Sequence, residues 1–355
     1  MKLSLLLTTF VVSIPALMAQ ESCYRSTRHL LRDMLEEKNN GDNGKVYTLC
    51  SNTIFKIGSL VGFWFTFWWH QHPLLLAGKN NIIKCGDDGR RENNCIFESA
   101  GAFTMMGAVA NYPQLGIEDN DISGTKVQGL TFRGKTRPPF GLLGALAELS
   151  HSVVFFQAPG NVVLEDCVFM DLESRHFLRH YFVNDFLDGN IVPGQSSDVT
   201  FESCYFKNIV LERVMMNTAS QINTIRGSII EDLKTGEGWS AVELYRSSTL
   251  DPTVPASFTL ESSCVEGYEG SYAFGFIYHI NGTADEEVTF TAADNYASNL
   301  VLDDQVPGCA EGLMVSSGLP NYTCVDIFEA GSCQATSSRV APCFYGWFTP
   351  LFCPQ

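Results

Sequence analysis

A short motif that recurs five times without gaps constrains the fold of this chain more than any other feature. Each copy starts with an apolar residue, has mostly apolar or small residues at positions four and six, and ends in a turn former. The copies are VQGLTFRG from Val127, LEDCVFMD from Leu164, FESCYFKN from Phe201, IRGSIIED from Ile225 and LESSCVEG from Leu260. The eighth residues are Gly134, Asp171, Asn208, Asp232 and Gly267. A unit repeated in phase predicts a solenoid in which each copy stacks on the next.

A second apolar strand lies between successive copies. These strands are SVVFFQ from Ser152, HYFVND from His180, VMMNTA from Val214, AVELYRS from Ala241 and AFGFIYH from Ala273. Stacked parallel strands lie about 4.8 Å apart, so like residues form columns. We therefore predict an all-β fold, a right-handed parallel β-helix, because a β-sandwich would not require the phase-locked motif. The predicted inward columns are Val127/Leu164/Phe201/Ile225/Leu260 and Phe132/Phe169/Phe206/Ile230/Val265.

The open ends of a solenoid need covers, because exposed coil edges favour aggregation. Leu30, Leu31, Met34 and Leu35 fall at helical spacing, which predicts an amphipathic cap helix within residues 20–45. The β-helix is predicted over 46–305, and a cysteine-rich, disulfide-stapled C-terminal cap over 306–355.

Residues 1–19 have the pattern of a secretory signal peptide, with one early lysine, an apolar stretch and small residues near the end. The sequons at Asn281 and Asn321 are compatible with N-glycosylation in the secretory pathway. No later segment is apolar and long enough to predict a membrane span. We therefore expect a secreted, extracellular protein, with association to a cell wall as an option.

All 12 cysteines follow the predicted signal peptide, and an even number in a secreted chain predicts disulfides. We predict that Cys23 pairs with Cys50 and Cys85 with Cys95. Cys167 and Cys204 hold the same inward position on neighbouring coils, either as stacked thiols or as a bridge between coils. The remaining cysteines are assigned to the C-terminal cap, with connectivity left open: Cys264, Cys309, Cys324, Cys333, Cys343 and Cys353.

The net charge of −16 argues against nucleic acid and anionic membranes as partners. It also opposes binding of acidic glycans, unless a local basic or calcium-loaded patch intervenes.

One stretch resembles a known family. The order of VYTLCSNTIFKIG, CGDDGRRENNC and VQGLTFRG within residues 46–134 is similar to secreted right-handed β-helix proteins of pectin-lyase-like fold from diatoms and related algae. The resemblance implies this fold and an extracellular location. It implies no defined activity.

The loop CGDDGRRENNC crowds oxygen ligands between two cysteines. Asp87 and Asp88 are weak candidates for binding Ca²⁺, and the alternative is a turn whose side chains cap local backbone groups. Otherwise we expect no cofactor or metal. His176 and His180 are spaced as zinc ligands only on a helix, and a strand is predicted there instead.

A groove is predicted where the second strands end in polar residues. Carboxylates beside Tyr, His and Arg suit a lyase or glycosidase. The alternative is that these ends are polar because they meet turns. The candidate catalytic residues are Asp185, Glu243, Arg246, Tyr278 and His279, and the candidate glycan-binding residues are Asn184, Asn217 and Tyr245. A second ladder, Glu165/Glu202/Arg226/Glu261, is interpreted as a solvated face with charges compensated between coils.

The run FWFTFWWHQHP at 63–73 is too short to span a bilayer as a helix. As a strand it places Trp64 and Trp68 on one face, which is either covered by the cap helix or exposed as a platform for sugar rings.

These features predict association with an extracellular polysaccharide in a binding or structural role. The alternatives are a carbohydrate-active enzyme (polyuronate lyase, epimerase or hydrolase) and an adhesion or host-contact spacer. The standard catalytic motifs of polygalacturonases, pectate lyases and alginate epimerases are absent. The oligomeric state is left open.

Overall fold

The computed structural model describes residues 23–58, 73–111, 116–136, 151–180, 197–218, 222–246, 256–270, 274–279, 288–302, 314–317 and 322–325. The described chain winds through three sheets in turn, and each strand pairs with the strand one coil away. Among the described strands all the pairings are parallel except one hairpin at the end of the third sheet, formed by Met314–Ser317 and Tyr322–Val325.

Sheet A contains β1 Val46–Leu49, β4 Ile82–Cys85, β7 Thr125–Gln128, β10 Gly160–Glu165, β13 Ser197–Glu202, β16 Ile222–Arg226, β19 Ala256–Glu261 and β22 Val288–Ala293. Sheet B contains β2 Ile54–Ile57, β5 Cys95–Ala102, β8 Leu130–Thr136, β11 Val168–Ser174, β14 Tyr205–Leu211, β17 Ile229–Lys234, β20 Cys264–Gly270, β23 Tyr296–Ser298 and β24 Val301–Leu302. Sheet C contains β3 Leu74–Leu75, β6 Thr104–Val109, β9 Ser152–Gln157, β12 His176–His180, β15 Met216–Thr218, β18 Val242–Arg246, β21 Gly275–His279, β25 Met314–Ser317 and β26 Tyr322–Val325. This strand order confirms the predicted parallel β-helix.

The two predicted inward columns are the core of the solenoid. Backbone registers align Val127, Leu164, Phe201, Ile225 and Leu260 on sheet A, all without solvent exposure. The sheet B column likewise runs through five coils in register, and its rings stack at centroid distances of 5.1 Å (Phe132–Phe169) and 5.2 Å (Phe169–Phe206). Each buried aromatic stabilises the fold by about 1.5–3 kcal/mol relative to an exposed one.

The backbone conformation explains why position eight of the motif is always Gly, Asn or Asp. All five predicted residues adopt positive φ, between 51° at Asp171 and 104° at Gly134. Gly, Asn and Asp are the residues that tolerate this left-handed backbone best. A second column of positive φ runs through eight coils where sheet A turns into sheet B: Asn52, Asn94, Gly129, Asp166, Ser203, Gly227, Ser262 and Asp294. We call this turn the A–B corner.

The N-terminal end of the solenoid is covered by α1, Thr27–Asn39. Leu30 and Met34 are buried in the same apolar cluster as the first coils, as predicted for a cap helix. The disulfide Cys23–Cys50 ties the segment before the helix to the first coil, and Cys85–Cys95 closes the following loop. Both predicted pairings are confirmed.

The other cysteine predictions divide into three groups. Cys167 and Cys204 are buried free thiols, so the bridge between coils is not formed. Cys264 is disulfide-bonded, and its partner lies outside the described residues. For Cys324 only the backbone is described, and the predicted cap cysteines Cys309, Cys333, Cys343 and Cys353 lie outside the described residues. Within the described residues, no helix has the length and apolar character needed to cross a membrane.

Candidate functional site

The predicted groove is described only in part. The backbone registers place Asn217 beside Glu243, Tyr245 beside Tyr278 and Arg246 beside His279 on neighbouring strands of sheet C. Glu243 has no solvent exposure. Asn184, Asp185, Trp64, Trp68, Asn281 and Asn321 lie outside the described residues, as do the side chains of Asn217, Tyr245, Arg246, Tyr278 and His279. Their functional roles stay predictions.

One predicted strand of the groove starts earlier than expected. The second strand expected to begin at His180 begins four residues earlier, because β12 starts at His176, and residues 181–196 lie outside the described residues. Phe177 and Leu178 both enter the core, and this consecutive apolar pair breaks the alternation on which the prediction relied. Arg179 consequently pairs with Asn217 and joins the row that contains Glu243.

Charged and imidazole side chains collect where sheet B turns into sheet C. The register of β9 with β12 places His151 beside Arg175, and the amide N–H of Arg213 donates to the carbonyl of Arg175 at 2.9 Å. The Arg213 guanidinium in turn contacts the Trp239 ring on the next coil. We call the set His151, Arg175, His176, Arg179, Glu212 and Arg213 the arginine–histidine corner.

His151 is held by its neighbours in one orientation. It is 3 % exposed, and its Nδ1 accepts the Arg175 amide N–H at 3.3 Å. Thr136 Oγ1 lies 3.3 Å from the same nitrogen and 2.6 Å from Ser174 Oγ. Because Nδ1 accepts a backbone hydrogen bond, the neutral ring carries its proton on Nε2. Nε2 lies 3.9 Å from Oε2 of the exposed Glu212.

His176 differs from His151 because its ring is buried without any hydrogen-bond partner. It is 5 % exposed, and neither ring nitrogen is bonded. Ser152, its register neighbour on β9, and Ser240 also have buried hydroxyls without partners. Buried polar groups in proteins are normally satisfied by protein or by ordered water. The group of unsatisfied side chains around His176 is therefore the basis for a candidate binding site.

Arginine charge and burial keep both histidines neutral. Burial, followed by the charges of Arg175 and Arg179, lowers the pKa of His151 to about 4. The pKa of His176 is lowered to about 2, mainly by burial and then by Arg179, Arg213, Arg175 and His151. A low pKa is expected where an imidazolium would be desolvated beside like charges. At neutral pH the corner therefore presents three guanidinium groups around two neutral imidazoles.

Two side chains complete the outer part of the corner. The Arg213 guanidinium lies 4.8 Å from the centroid of the Trp239 ring, a cation–π contact that orients the arginine. The Glu212 side chain is 68 % exposed. The backbone of Glu212 is held in place because its amide N–H donates to the Ser174 carbonyl at 2.9 Å. Guanidinium groups bind carboxylates and sulfates through paired hydrogen bonds, and the imidazole–carboxylate pair can exchange protons.

Sequence analysis missed this corner, although a signal for it exists. His151, Arg175, Arg213 and Trp239 stand in four successive coils, in the connecting segments just before the second strands. Of the corner itself only His176 was considered from sequence, as a zinc ligand, and Glu243 and Asn217 were singled out on the adjoining row.

The other candidates are explained by local structure. Asp88 accepts hydrogen bonds from the Arg90 amide at 3.2 Å and from the Asn93 side chain, so it caps its own turn. Among the described residues, no group of three His, Cys, Asp or Glu side chains is arranged to hold a metal ion. His180 binds Asn223 at 3.1 Å rather than approaching His176.

The charged ladder on sheet A is compensated between coils, as expected for a solvated face. Glu165 accepts from Lys126 at 2.9 Å, and Arg226 donates to Glu261 at 2.8 Å. A concavity of about 470 Å³ on sheet B is lined by Lys56, Glu98, Arg133 and Asp171 among others, but Arg133 is paired with Glu98 at 2.8 Å. Its mixed charges make it a weaker anion site than the arginine–histidine corner.

No protein-family model and no curated protein matches the chain. Two solved structures resemble it distantly. One is pectate lyase Bsp165PelA from Bacillus sp. N165 in complex with trigalacturonate, with 10 % identity over 90 % of both chains and a TM-score of 0.40. The other is the PL6 family alginate lyase AlyGC, with 8 % identity over 77 % of this chain and 38 % of that one, and a TM-score of 0.36. The β-helix assignment therefore rests on strand order and register.

Proposed function

We propose that this chain is a secreted protein that binds an anionic polysaccharide of an extracellular matrix or wall at the arginine–histidine corner. The observation that carries the proposal is the buried ring of His176, which has no hydrogen-bond partner and lies within the electrostatic influence of Arg179, Arg213 and Arg175. A carboxylate or sulfate could pair with the guanidinium groups and accept a hydrogen bond from this ring.

The charge distribution supports an anionic ligand. The whole chain carries −16, so a diffuse surface would repel acidic glycans. The positive charge of Arg213, whose guanidinium lies over Trp239, would offset this repulsion locally. The disulfides Cys23–Cys50 and Cys85–Cys95 are compatible with the proposed extracellular location.

A catalytic role is the second candidate, and the pair His151–Glu212 favours it. Glu212 is exposed beside the arginines, and its carboxylate lies near the protonated Nε2 of His151. An exposed carboxylate next to a group that neutralises a substrate anion can act as a general base. The reaction classes in question are elimination, epimerisation or hydrolysis of an acidic polysaccharide.

Binding is tested by retention on immobilised polygalacturonate, a sulfated galactan and a neutral glucan at several salt concentrations. We expect retention on the anionic polymers and its loss at high salt. Arg213→Gln should weaken binding about 10-fold to 100-fold, since a charge-assisted hydrogen bond contributes about 1.5–3 kcal/mol. The matched control is Arg226→Gln, which removes the same charge from the exposed pair with Glu261 on sheet A. Equal effects of the two variants would contradict a local site.

Turnover is tested on the same polymers by ultraviolet absorbance of unsaturated products and by new reducing ends. If turnover occurs, Glu212→Gln should abolish it and leave retention intact, which would establish the catalytic candidate. Asp185→Ala and His279→Ala test the groove predicted from sequence in the same assay. Retention without turnover supports the binding role.

A further inference from the structure

Two thiols are stacked inside the A–B corner. Cys167 and Cys204 each directly precede a sheet B strand, and the register of Val168 with Tyr205 places them side by side on neighbouring coils. Both are completely buried. Parallel neighbours are about 4.8 Å apart, within the Cα separation of about 4.4–6.8 Å that a disulfide spans.

The two thiols have equivalent surroundings on successive coils, and Cys167 lies close enough to Cys204 to affect its ionisation. The Cys204 thiol also lies 3.2 Å from the Leu164 carbonyl, and the Cys167 thiol 3.6 Å from the Val127 carbonyl. No large rearrangement of the backbone separates this arrangement from a covalent bond.

The fold does not need sulfur at this position. The next two coils have Ser228 and Ser263 there, and the Ser228 hydroxyl accepts the Cys204 amide N–H at 3.0 Å. Both serines also donate to the carbonyl two residues earlier. What distinguishes two adjacent cysteines from two serines is redox chemistry.

A buried cation lies beside the pair. The Arg91 guanidinium binds Asp166 through Nε at 2.6 Å and the Ser203 carbonyl at 2.8 Å, the residues just before the two cysteines. Its Nη1 is buried without a partner. The charge of Arg91 opposes the effect of burial, which raises the pKa of Cys204 and keeps the thiol protonated at rest.

We propose that Cys167 and Cys204 are a redox modification site, at which a peroxide oxidises the two thiols to a disulfide between adjacent coils. One thiol loses its proton and the thiolate attacks a peroxide oxygen; the O–O bond breaks, the sulfur becomes a sulfenic acid, and the departing hydroxide takes the proton to form water. The second thiol then attacks this sulfur, and the sulfur–sulfur bond forms with release of a second water. In total, two thiols and one hydrogen peroxide give one disulfide and two waters, and a dithiol reductant reverses the reaction.

This proposal does not depend on the proposed glycan binding. The disulfide would close a loop that contains Arg175, His176 and Arg179, so it would constrain the coil that carries part of the arginine–histidine corner. Such a disulfide lowers the conformational entropy of the unfolded chain, which stabilises the folded state of the oxidised protein.

The full-length chain is treated with hydrogen peroxide, alkylated under denaturing conditions and mapped by mass spectrometry. We expect both thiols to be lost together, and a cross-linked peptide pair that is lighter by two hydrogen atoms. Reduction with dithiothreitol should restore both thiols. The two disulfides already present serve as internal references, since their peptides should not change under oxidation.

Cys167→Ser and Cys204→Ser are the matched variants, because Ser228 and Ser263 show that serine fits this column. Each variant should lose the cross-link, and its remaining thiol should stay alkylatable or proceed to sulfinic acid. The proposal is overturned if the wild-type thiols stay alkylatable, or if they oxidise singly to sulfinic acid without a cross-link. The wild-type map decides this even if a variant does not fold.

Discussion

At the A–B corner, the buried column of Ser228, Ser263 and Asn295 is hydrogen-bonded from coil to coil, whereas at the arginine–histidine corner Ser152 and His176 have no partner. Ser263 accepts the Ser228 amide N–H at 3.2 Å, and Asn295 accepts the Ser263 amide N–H at 3.0 Å. On the other side of sheet B, the polar atoms of Ser152 and His176 are equally buried and unsatisfied.

The two corners therefore have different physical roles. Each satisfied side chain at the A–B corner adds to stability, because it replaces the hydrogen bonds that backbone groups lose on leaving water. An unsatisfied group costs stability in the free protein, and that cost is recovered when a ligand or water supplies the partner. The A–B corner holds the coils in register, and the unsatisfied groups of the arginine–histidine corner are those that we propose for an external molecule.

Acid should destabilise the protein through the arginine–histidine corner, and this is the largest effect we expect. The pKa values of His151 and His176 are lower in the folded state than the ordinary value of about 6.5, so the unfolded chain binds more protons. Stability is therefore fully present above about pH 6.5 and falls as the pH drops towards 4 for His151 and further for His176. Each histidine should lower the free energy of unfolding by on the order of 2 kcal/mol between pH 7 and pH 4.5.

Urea unfolding at pH 7, 6, 5 and 4.5 measures this slope. His176→Gln should reduce it by up to about 1.4 kcal/mol per pH unit, the contribution of one proton. His180 contributes in the same window, since burial lowers its pKa to about 4, so some slope should remain. An unchanged slope in both His151→Gln and His176→Gln would mean that these rings are not buried neutral groups.

The next largest effect on stability is expected when a side chain is added at the crowded A–B corner. Gly129 has a φ of +68°, and an added Cβ would lie 2.3 Å from the Gly89 carbonyl oxygen. Gly129→Ala should lower the free energy of unfolding by roughly 2–5 kcal/mol, from left-handed strain and overlap together. Gly227 occupies the same column with a φ of +55°, and its nearest neighbour would be Ser203 Oγ at 3.8 Å.

Gly227→Ala is therefore the matched control, because it introduces the left-handed strain without the steric overlap. It should lower the free energy of unfolding by about 1–2 kcal/mol. Urea unfolding of both variants gives the comparison. Equal losses would show that coil spacing does not limit the A–B corner.

The features that sequence predicted correctly are those repeated in every coil. The inward columns and the turn former at position eight recur in phase, so each copy supports the others. The cap helix follows from the spacing of Leu30 and Met34, and two disulfides follow from cysteine spacing around the first coils. Such local and periodic signals are sufficient for a solenoid.

The arginine–histidine corner could not be predicted in the same way, because it has no repeated residue type. His151, Arg175 and Arg213 come from three different connecting segments, and their proximity depends on the register of β9, β12 and β15. The misplaced start of β12 moved Arg179 out of the predicted row. The net charge of −16 also gave no indication that arginines lie together at this corner.

The contrast between the corners can be tested with one substitution made twice. Ser228 and Ser152 are both buried without exposure, but Ser228 Oγ accepts the Cys204 amide N–H and donates to the Arg226 carbonyl, whereas Ser152 Oγ has no partner. Ser228→Ala should lower the free energy of unfolding by about 1–3 kcal/mol, because it leaves a buried amide unsatisfied. Ser152→Ala should change it by less than about 0.5 kcal/mol or stabilise the protein, since only a desolvated hydroxyl is removed. Both values come from urea unfolding at pH 7. A loss at Ser152 as large as that at Ser228 would mean that Ser152 is already hydrogen-bonded in the free protein, and the two corners would then not differ in kind.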